Sequence, residues 1–493
     1  MRCAVLGGGL AGLVCAMELA RRGCRVTVIE AAPFAGGRAS SWNSPSGLPV
    51  GTGLHVVADH YVNLLSELTS LGVLERLRWW KDHCYLTPGR PPALWGFNRL
   101  PAPFHLLRAA RHMPLSIAER LRLLQASLDA GRYRQEDLAQ LDDLPYLDWH
   151  RHHGLNDGFV LDLADFASDA ATFMPAERVA ARPVLSWLKY MSRTASAGRI
   201  GTWTAPLREA LIEPLVGAIT SLGGVVRTGT AAVGLLSESN EVRAVVTRAS
   251  ASEGPCYRAD GDASPVGLQE ELACDVVVAA LPVQALRRLL TPYQAVEAHL
   301  EDALRLGTVP ALSATIAFDR LIRPMPLGAA LVSGCAIRDF IDLSTVWTGL
   351  RTSVLQFLVR GSEERMPLSE EEIARALVGD LASVWPQVRG ARPVDLHVER
   401  IGAAMFASVP GAHRLRPAAG TGIPNLFLAG DWIRHDLNAS MEGAVLSGKL
   451  AARAVLRGQE SHQISILAPR EAVVTRAIQA LARPRRRGVR AAA

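Results

Sequence analysis

The chain reads as an α/β fold: a parallel sheet seeded by its N-terminus, a helical cap, and an antiparallel sheet further on. Three observations predict it. Residues 1–40 run buried strand, Gly-rich turn, helix, buried strand. Residues 144–195 carry apolar and aromatic side chains at helical spacing, and from Pro310 alternating apolar segments recur. At 493 residues and 49% hydrophobic content, the chain can bury two or three cores.

The N-terminal unit carries the most information. Arg2 to Leu6 and Arg25 to Ile29 read as buried strands flanking a helix from Leu13 to Arg22. The turn Gly7-Gly8-Gly9-Leu10-Ala11-Gly12 matches G-x-G-x-x-G. Gly7 permits the tight turn, Gly9 lets backbone N–H groups approach a pyrophosphate, and Gly12 lets helix and strand pack closely. Leu10 and Ala11 open the helix, whose N-terminus carries partial positive charge. Glu30, followed by Ala31, ends the second strand where it can accept hydrogen bonds from a ribose diol. A tight βα turn without ligand is the alternative. The strand–turn–helix context and the acid at the expected distance favour a Rossmann-like dinucleotide site.

Pro33 to Ala39 follows at once, with Gly36-Gly37-Arg38 at its centre. The glycine pair permits a second close approach, and Arg38 can reach a pyrophosphate or shield a flavin. Near the other end, Asn425 to Trp432 is an apolar strand closing on Gly430-Asp431. These two distant segments resemble the flavoprotein superfamily of amine oxidases and carotenoid desaturases. There the Gly-Gly-Arg segment lines FAD and the Asp meets its ribityl chain and phosphate.

Between these ends the reading is coarser. Gly53-Leu54-His55 precedes an amphipathic helix, Tyr61 to Leu71, and His55 could lie beside the flavin or be structural. Trp79 to Pro92 reads as strands turning at Pro88-Gly89. Leu100-Pro101-Ala102-Pro103 opens a helical stretch with Arg108, Arg111, Arg120 and Arg122 among leucines. These are either ordinary domain helices or a monotopic patch on lipid. Leu144 to Ala195 is mainly helical; Trp149, Phe166, Met174, Trp187 and Tyr190 could line an apolar tunnel or simply form a core. A helix from Leu207 to Leu222 and strands at 225–230 and 241–248 resume the nucleotide domain. Residues 249–271 read as an exposed loop, followed by a strand at 274–281 and a helix at 283–290. Strands at 312–318, 329–337, 353–359 and 394–400, with a helix at 369–385, supply the antiparallel sheet.

Taken together, residues 1–458 resemble the plant and cyanobacterial type of phytoene and ζ-carotene desaturases, with bacterial hydroxysqualene dehydroxylases nearby. The resemblance implies an amine-oxidase-type FAD domain in three pieces (1–75, 205–295 and 405–460), a cap and membrane-facing region (76–204), and a substrate sheet (296–404). It also places Val233 against the adenine. Met441-Glu442-Gly443-Ala444 should start a helix whose N-terminus faces the flavin pyrimidine. The implied reaction moves a hydride from an allylic carbon of an apolar isoprenoid to the flavin, and a quinone reoxidises it. No catalytic side chain is nominated. A hydroxysqualene-type dehydroxylase and a non-enzymatic isoprenoid carrier stay open as alternatives. Ile433 to Leu437 (IRHDL) is more basic than the family pattern.

Charge and cysteines limit the remaining classes. The net +6 resides in residues 461–493, which hold seven arginines and one acid. This tail reads as solvated, or as a contact with an anionic membrane surface. The body shows no nucleic-acid surface. Seven scattered cysteines without C-x-x-C read as reduced thiols of a cytoplasmic, peripherally membrane-associated protein without a metal site.

Overall fold

The computed structural model describes residues 1–80, 83–86, 93–95, 116–133, 137–155, 158–193, 199–252, 254, 265–290, 300–324, 335–457 and 463–469. The Leu-Pro-Ala-Pro segment, its first arginines, the turn at Pro88-Gly89 and the tail from Arg470 lie outside these residues.

The chain opens with β1 (Arg2–Leu6), α1 (Leu10–Ala20) and β2 (Arg25–Ile29). After α2 (Val62–Ser70) come the cap helices α3 (Ile117–Arg132), α4 (Tyr146–His152), α5 (Gly158–Thr172) and α6 (Ala181–Arg193). The nucleotide region returns as α7 (Glu213–Ser221), β3 (Val225–Arg227), β4 (Thr230–Glu238), β5 (Glu241–Ser250), β6 (Pro265–Ala273), β7 (Val276–Ala279) and α8 (Val283–Leu290). Next are β8 (Thr308–Phe318), β9 (Ile337–Asp342), β10 (Val354–Val359), α9 (Glu370–Val384) and β11 (Pro393–Phe406). β12 (Leu426–Leu428) and α10 (Met441–Leu456) are the last strand and helix among the described residues.

Strands from both ends share one parallel sheet, ordered β3-β2-β1-β7-β12. Past the exposed Arg2, β1 and β7 are buried on both faces, which is why CAVL and VVVA are continuous apolar runs rather than alternating ones. Every residue of α1 is buried, because it lies between this sheet and α7 and α10. A second sheet, β9-β10-β8-β11, is antiparallel. α9 covers one of its faces, burying Ile373, Leu377 and Leu381 against Phe318, Phe340 and Phe357.

One expectation fails here, and a second is only partly covered by the described residues. Residues 265–273 are not loop but β6, the edge of the three-stranded sheet β4-β5-β6. Nearly all of β6 is exposed, Leu268 included, so the period-2 burial signal that would mark a strand is missing. Of the strand expected at 329–337, residues 329–334 lie outside the described residues, and the strand described here, β9, runs on from Ile337 to Asp342. Its charged residues hide it: Arg338 is buried, with its guanidinium over the Phe173 ring and bonded to Asp339 at 2.9 Å. In the cap, Trp149 and Met174 belong to a packed core with Tyr146 and Leu185, which favours the core reading over a tunnel lining for those two. Among the described residues no helix is long and apolar enough to cross a membrane, and the described cysteines are free thiols.

Candidate cofactor cradle

The Gly-rich turn joins β1 to α1 at the C-terminal edge of the parallel sheet. Gly7 has φ +103°, and a Cβ there would lie 2.5 Å from the Ala280 carbonyl oxygen. A Cβ on Gly12 would lie 2.0 Å from the Gly7 carbonyl oxygen. Both positions therefore exclude every larger residue. Gly9 differs: a Cβ there would meet nothing within 4 Å, so open space lies over the start of α1, where Leu10 and Ala11 begin the helix. This is the space a pyrophosphate needs.

Glu30 closes one side. Its carboxylate is buried and accepts from the Gly8 amide at 2.7 Å and, beyond the neighbouring Ala31, from the Ala32 amide at 2.8 Å. Burial raises its pKa, and those amide bonds oppose the rise. Each oxygen keeps a lone pair for a ribose hydroxyl. The backbone of Glu30 also accepts from Thr230, which brings the start of β4 alongside. Val233 is the extra residue of a bulge in β4, between Ala232 and Gly234 in the β5 register. A bulge frees its extra residue from the ladder, which suits a backbone contact to a base.

The opposite side is built from both chain ends. Gly36 pairs with Gly9 and donates its amide to the Gly8 carbonyl at 2.8 Å. A Cβ on Gly37 would crowd the Gly9 Cα at 3.2 Å. Arg38 then reaches across to Asp431 at 2.7 Å and to the Ala404 carbonyl at 2.5 Å. Gly9 and Gly430 follow β1 and β12, two strands apart in one sheet, or roughly 10 Å at the usual strand spacing. Gly430 donates to Ser447 Oγ of α10 at 2.9 Å, which ties the Gly-Asp segment to the helix that Met441 begins.

His55 joins this group indirectly. Thr52 Oγ1 donates to the Arg38 carbonyl at 2.5 Å, so it must accept from His55 Nε2 at 2.7 Å. The ring is therefore a neutral Nε2–H tautomer. Burial, aided by Arg38, pushes its pKa down to about 4. Gly53 lies beside Leu358 of β10, and Leu54 packs into the small core under β10.

Glu442 departs from expectation. Its buried carboxylate accepts from the Asn63 amide at 2.9 Å, Asn63 Nδ2 at 2.7 Å and the Leu64 amide at 2.8 Å. It caps the first turn of α2. Seven residues on, Lys449 pairs with Glu67 of the same helix at 2.6 Å. The short Met-Glu-Gly-Ala motif identifies a helix start, but only the packed structure shows that Glu442 serves the neighbouring helix.

Thr52, Ser447 and Arg416 were not nominated from the sequence. Arg416 is buried and spends all five N–H groups on carbonyls of the segment after Gly430: Asp431, Trp432, Ile433, His435 and Leu437. No local pattern marks an arginine that acts on a loop fifteen residues away.

The open space over Gly9, the acid at Glu30 and the paired Arg38 and Asp431 fit FAD. A profile of the family described as flavin containing amine oxidoreductase matches residues 10–456. The 15-cis-phytoene desaturase of Synechococcus elongatus is 26% identical, over 94% of this chain and 97% of that protein. The ζ-carotene desaturase of Synechocystis is 25% identical, over 95% and 100%. A crystal structure of an oxidoreductase from Methanosarcina mazei superposes with TM-score 0.67 at 18% identity, covering 92% of this chain and all of that one. The chain thus belongs to the flavin-containing amine oxidoreductase family and is an FAD-dependent oxidoreductase.

Proposed function

We propose that the protein desaturates an apolar isoprenoid of the carotenoid class. The observation that carries this reading is the end-to-end likeness to phytoene and ζ-carotene desaturases, which spans both cofactor-binding ends and the sheet between them. Bound FAD supplies the hydride acceptor for an allylic carbon, and a quinone takes the electrons onward. The chain's own residues hold and shield that cofactor. Gly7, Gly9, Gly12, Gly36 and Gly37 shape the backbone around the pyrophosphate, Glu30 takes the ribose, and Arg38 with Asp431 fixes the phosphate and ribityl side. Val233 borders the base, and Met441 starts α10 with its N-terminal dipole toward the pyrimidine edge. His55 orients the Arg38 backbone through Thr52 and, being neutral, adds no charge beside the flavin. Removing hydride and proton from adjacent carbons asks for orientation and dryness more than for an acid–base pair.

The protein is proposed to act at a membrane surface, to which its basic tail and the Leu-Pro-Ala-Pro segment would attach it. Purified protein, FAD, liposomes and a quinone should convert phytoene or ζ-carotene to products lighter by two hydrogens per step. Oxygen loss from hydroxysqualene, with no change in either carotene, would replace this reading with the dehydroxylase. Inertness toward all three substrates would remove both.

A further inference from the structure

The antiparallel sheet has two unlike faces. Along β8, Leu312, Ala314, Ile316 and Phe318 turn into the apolar core beneath α9. Alternation sends Ser313 and Thr315 to the opposite face. The register sets Leu358 of β10 and Glu399 of β11 on either side of Ser313, and Gln356 and His397 on either side of Thr315. Apart from Leu358, these two neighbouring rungs are polar, and Ser313, Thr315, Gln356 and Glu399 are all buried. Apolar patches bound them, with Ala317 and Val354 at one end and Ala311, Ile401 and Ala404 at the other.

The polar rungs lie against the cradle. A Cβ on Gly53 would lie 3.2 Å from Leu358 Cδ2, and one on Gly51 would lie 3.6 Å from Gln356 Nε2. Between those glycines, Thr52 binds the Arg38 carbonyl and His55. Farther along β11, the Ala404 carbonyl accepts from Arg38. One face of the sheet therefore meets both the 51–53 segment and the arginine that reaches Asp431.

Buried polar groups are normally paired, and here the pairing is incomplete. Glu399 and His397 bond to each other at 3.2 Å. Ser313 Oγ has no partner, and Gln356 makes no side-chain hydrogen bond among the described residues. A hydroxyl and a carboxamide each donate and accept, which matches the carbonyls and ring nitrogens along the polar edge of a flavin. An isoprenoid chain offers such groups nothing. We infer that Ser313 and Gln356 hydrogen-bond the ring of the bound flavin, a role that depends on FAD and not on the identity of the substrate. The antiparallel sheet then carries part of the cofactor site alongside the parallel one.

The test uses FAD-loaded protein carrying Ser313→Ala or, separately, Gln356→Leu. The first removes a single hydroxyl, and the second covers any fold defect of the first. Each should weaken FAD binding about fivefold, the worth of one neutral hydrogen bond, in a flavin-fluorescence titration. Each should also move the flavin absorbance bands and the reduction potential, which a purely structural role leaves in place. If these groups meet only protein or water, both variants keep the wild-type spectrum, potential and affinity, and that result would overturn the assignment. Removing a hydroxyl that bonds to nothing would also raise the Tm of the holoprotein, whereas losing a flavin contact lowers it. Weaker binding of a carotene by both variants, with the flavin spectrum unchanged, would give the polar rungs to the substrate and equally overturn the assignment. Neither result touches the binding of FAD by the Gly-rich turn and Glu30.

Discussion

Glu30 and Asp142 are both buried carboxylates, yet they are solved in opposite ways. Glu30 ends a central strand, and the backbone that turns around it delivers two amides to its oxygens. Asp142 sits where the cap meets the end of β11, and one of its oxygens faces a cleft unpaired. A buried carboxylate satisfied by its own backbone is part of the scaffold and presents its spare lone pairs. One oxygen left without a hydrogen-bond partner carries a desolvation cost that the scaffold has not offset. Glu442 falls on the scaffold side, since three donors of α2 hold it.

The largest effect should come from the cradle. Glu30→Ala or Asp431→Ala should yield protein that purifies colourless, read from the flavin absorbance per polypeptide. Full flavin content in both would break the assignment. Next is Glu442→Gln, which sets an amide donor against the backbone donors of α2. We expect a loss of about 1–3 kcal/mol in denaturant unfolding, with flavin content per folded molecule unchanged. Loss of flavin without loss of stability would return Glu442 to the cofactor site.

A pH effect of intermediate size follows from the buried histidines. Burial pushes His55, His60 and His150 down to about 4, with Arg38 assisting at His55 and His153 at His150. An unfolded imidazole takes its proton near 6.5. Between those values the unfolded chain binds more protons, so stability is complete above about pH 6.5 and falls as pH drops toward 4. The Tm of the holoprotein should be level from pH 7 to 8 and decline below 6.5. A level Tm down to pH 4.5 would show these rings to be accessible. The smallest effect is expected for Asp142→Asn. It removes a buried charge whose Oδ2 bonds to nothing, so stability should change by less than about 1 kcal/mol. A large destabilisation would reveal a structural partner for Asp142 and erase the contrast with Glu30.

The cradle was legible because its requirements are local. A turn that must pass φ +103° at Gly7 and admit a helix against it at Gly12 permits only glycine, so the motif is written in consecutive residues. The flanking strands are equally plain, since burial on both faces makes them apolar throughout. β6 and β9 were missed for complementary reasons. One is exposed on both faces, and the other buries its charges in pairs, so neither carries the alternation that signals a strand.

By itself, the sequence determined the parallel sheet, the glycines of the cradle and the acid at Glu30. Each depends on backbone geometry or on the burial of a short run, and neighbours along the chain suffice to encode it. Only the tertiary structure decided that Arg38 meets Asp431, that Glu442 caps α2, that Arg416 gathers five carbonyls, and that Asp142 is left one donor short. Those are pairings across tens to hundreds of residues. A polar side chain's partner depends on which surfaces the folded core brings together, and no local pattern records it.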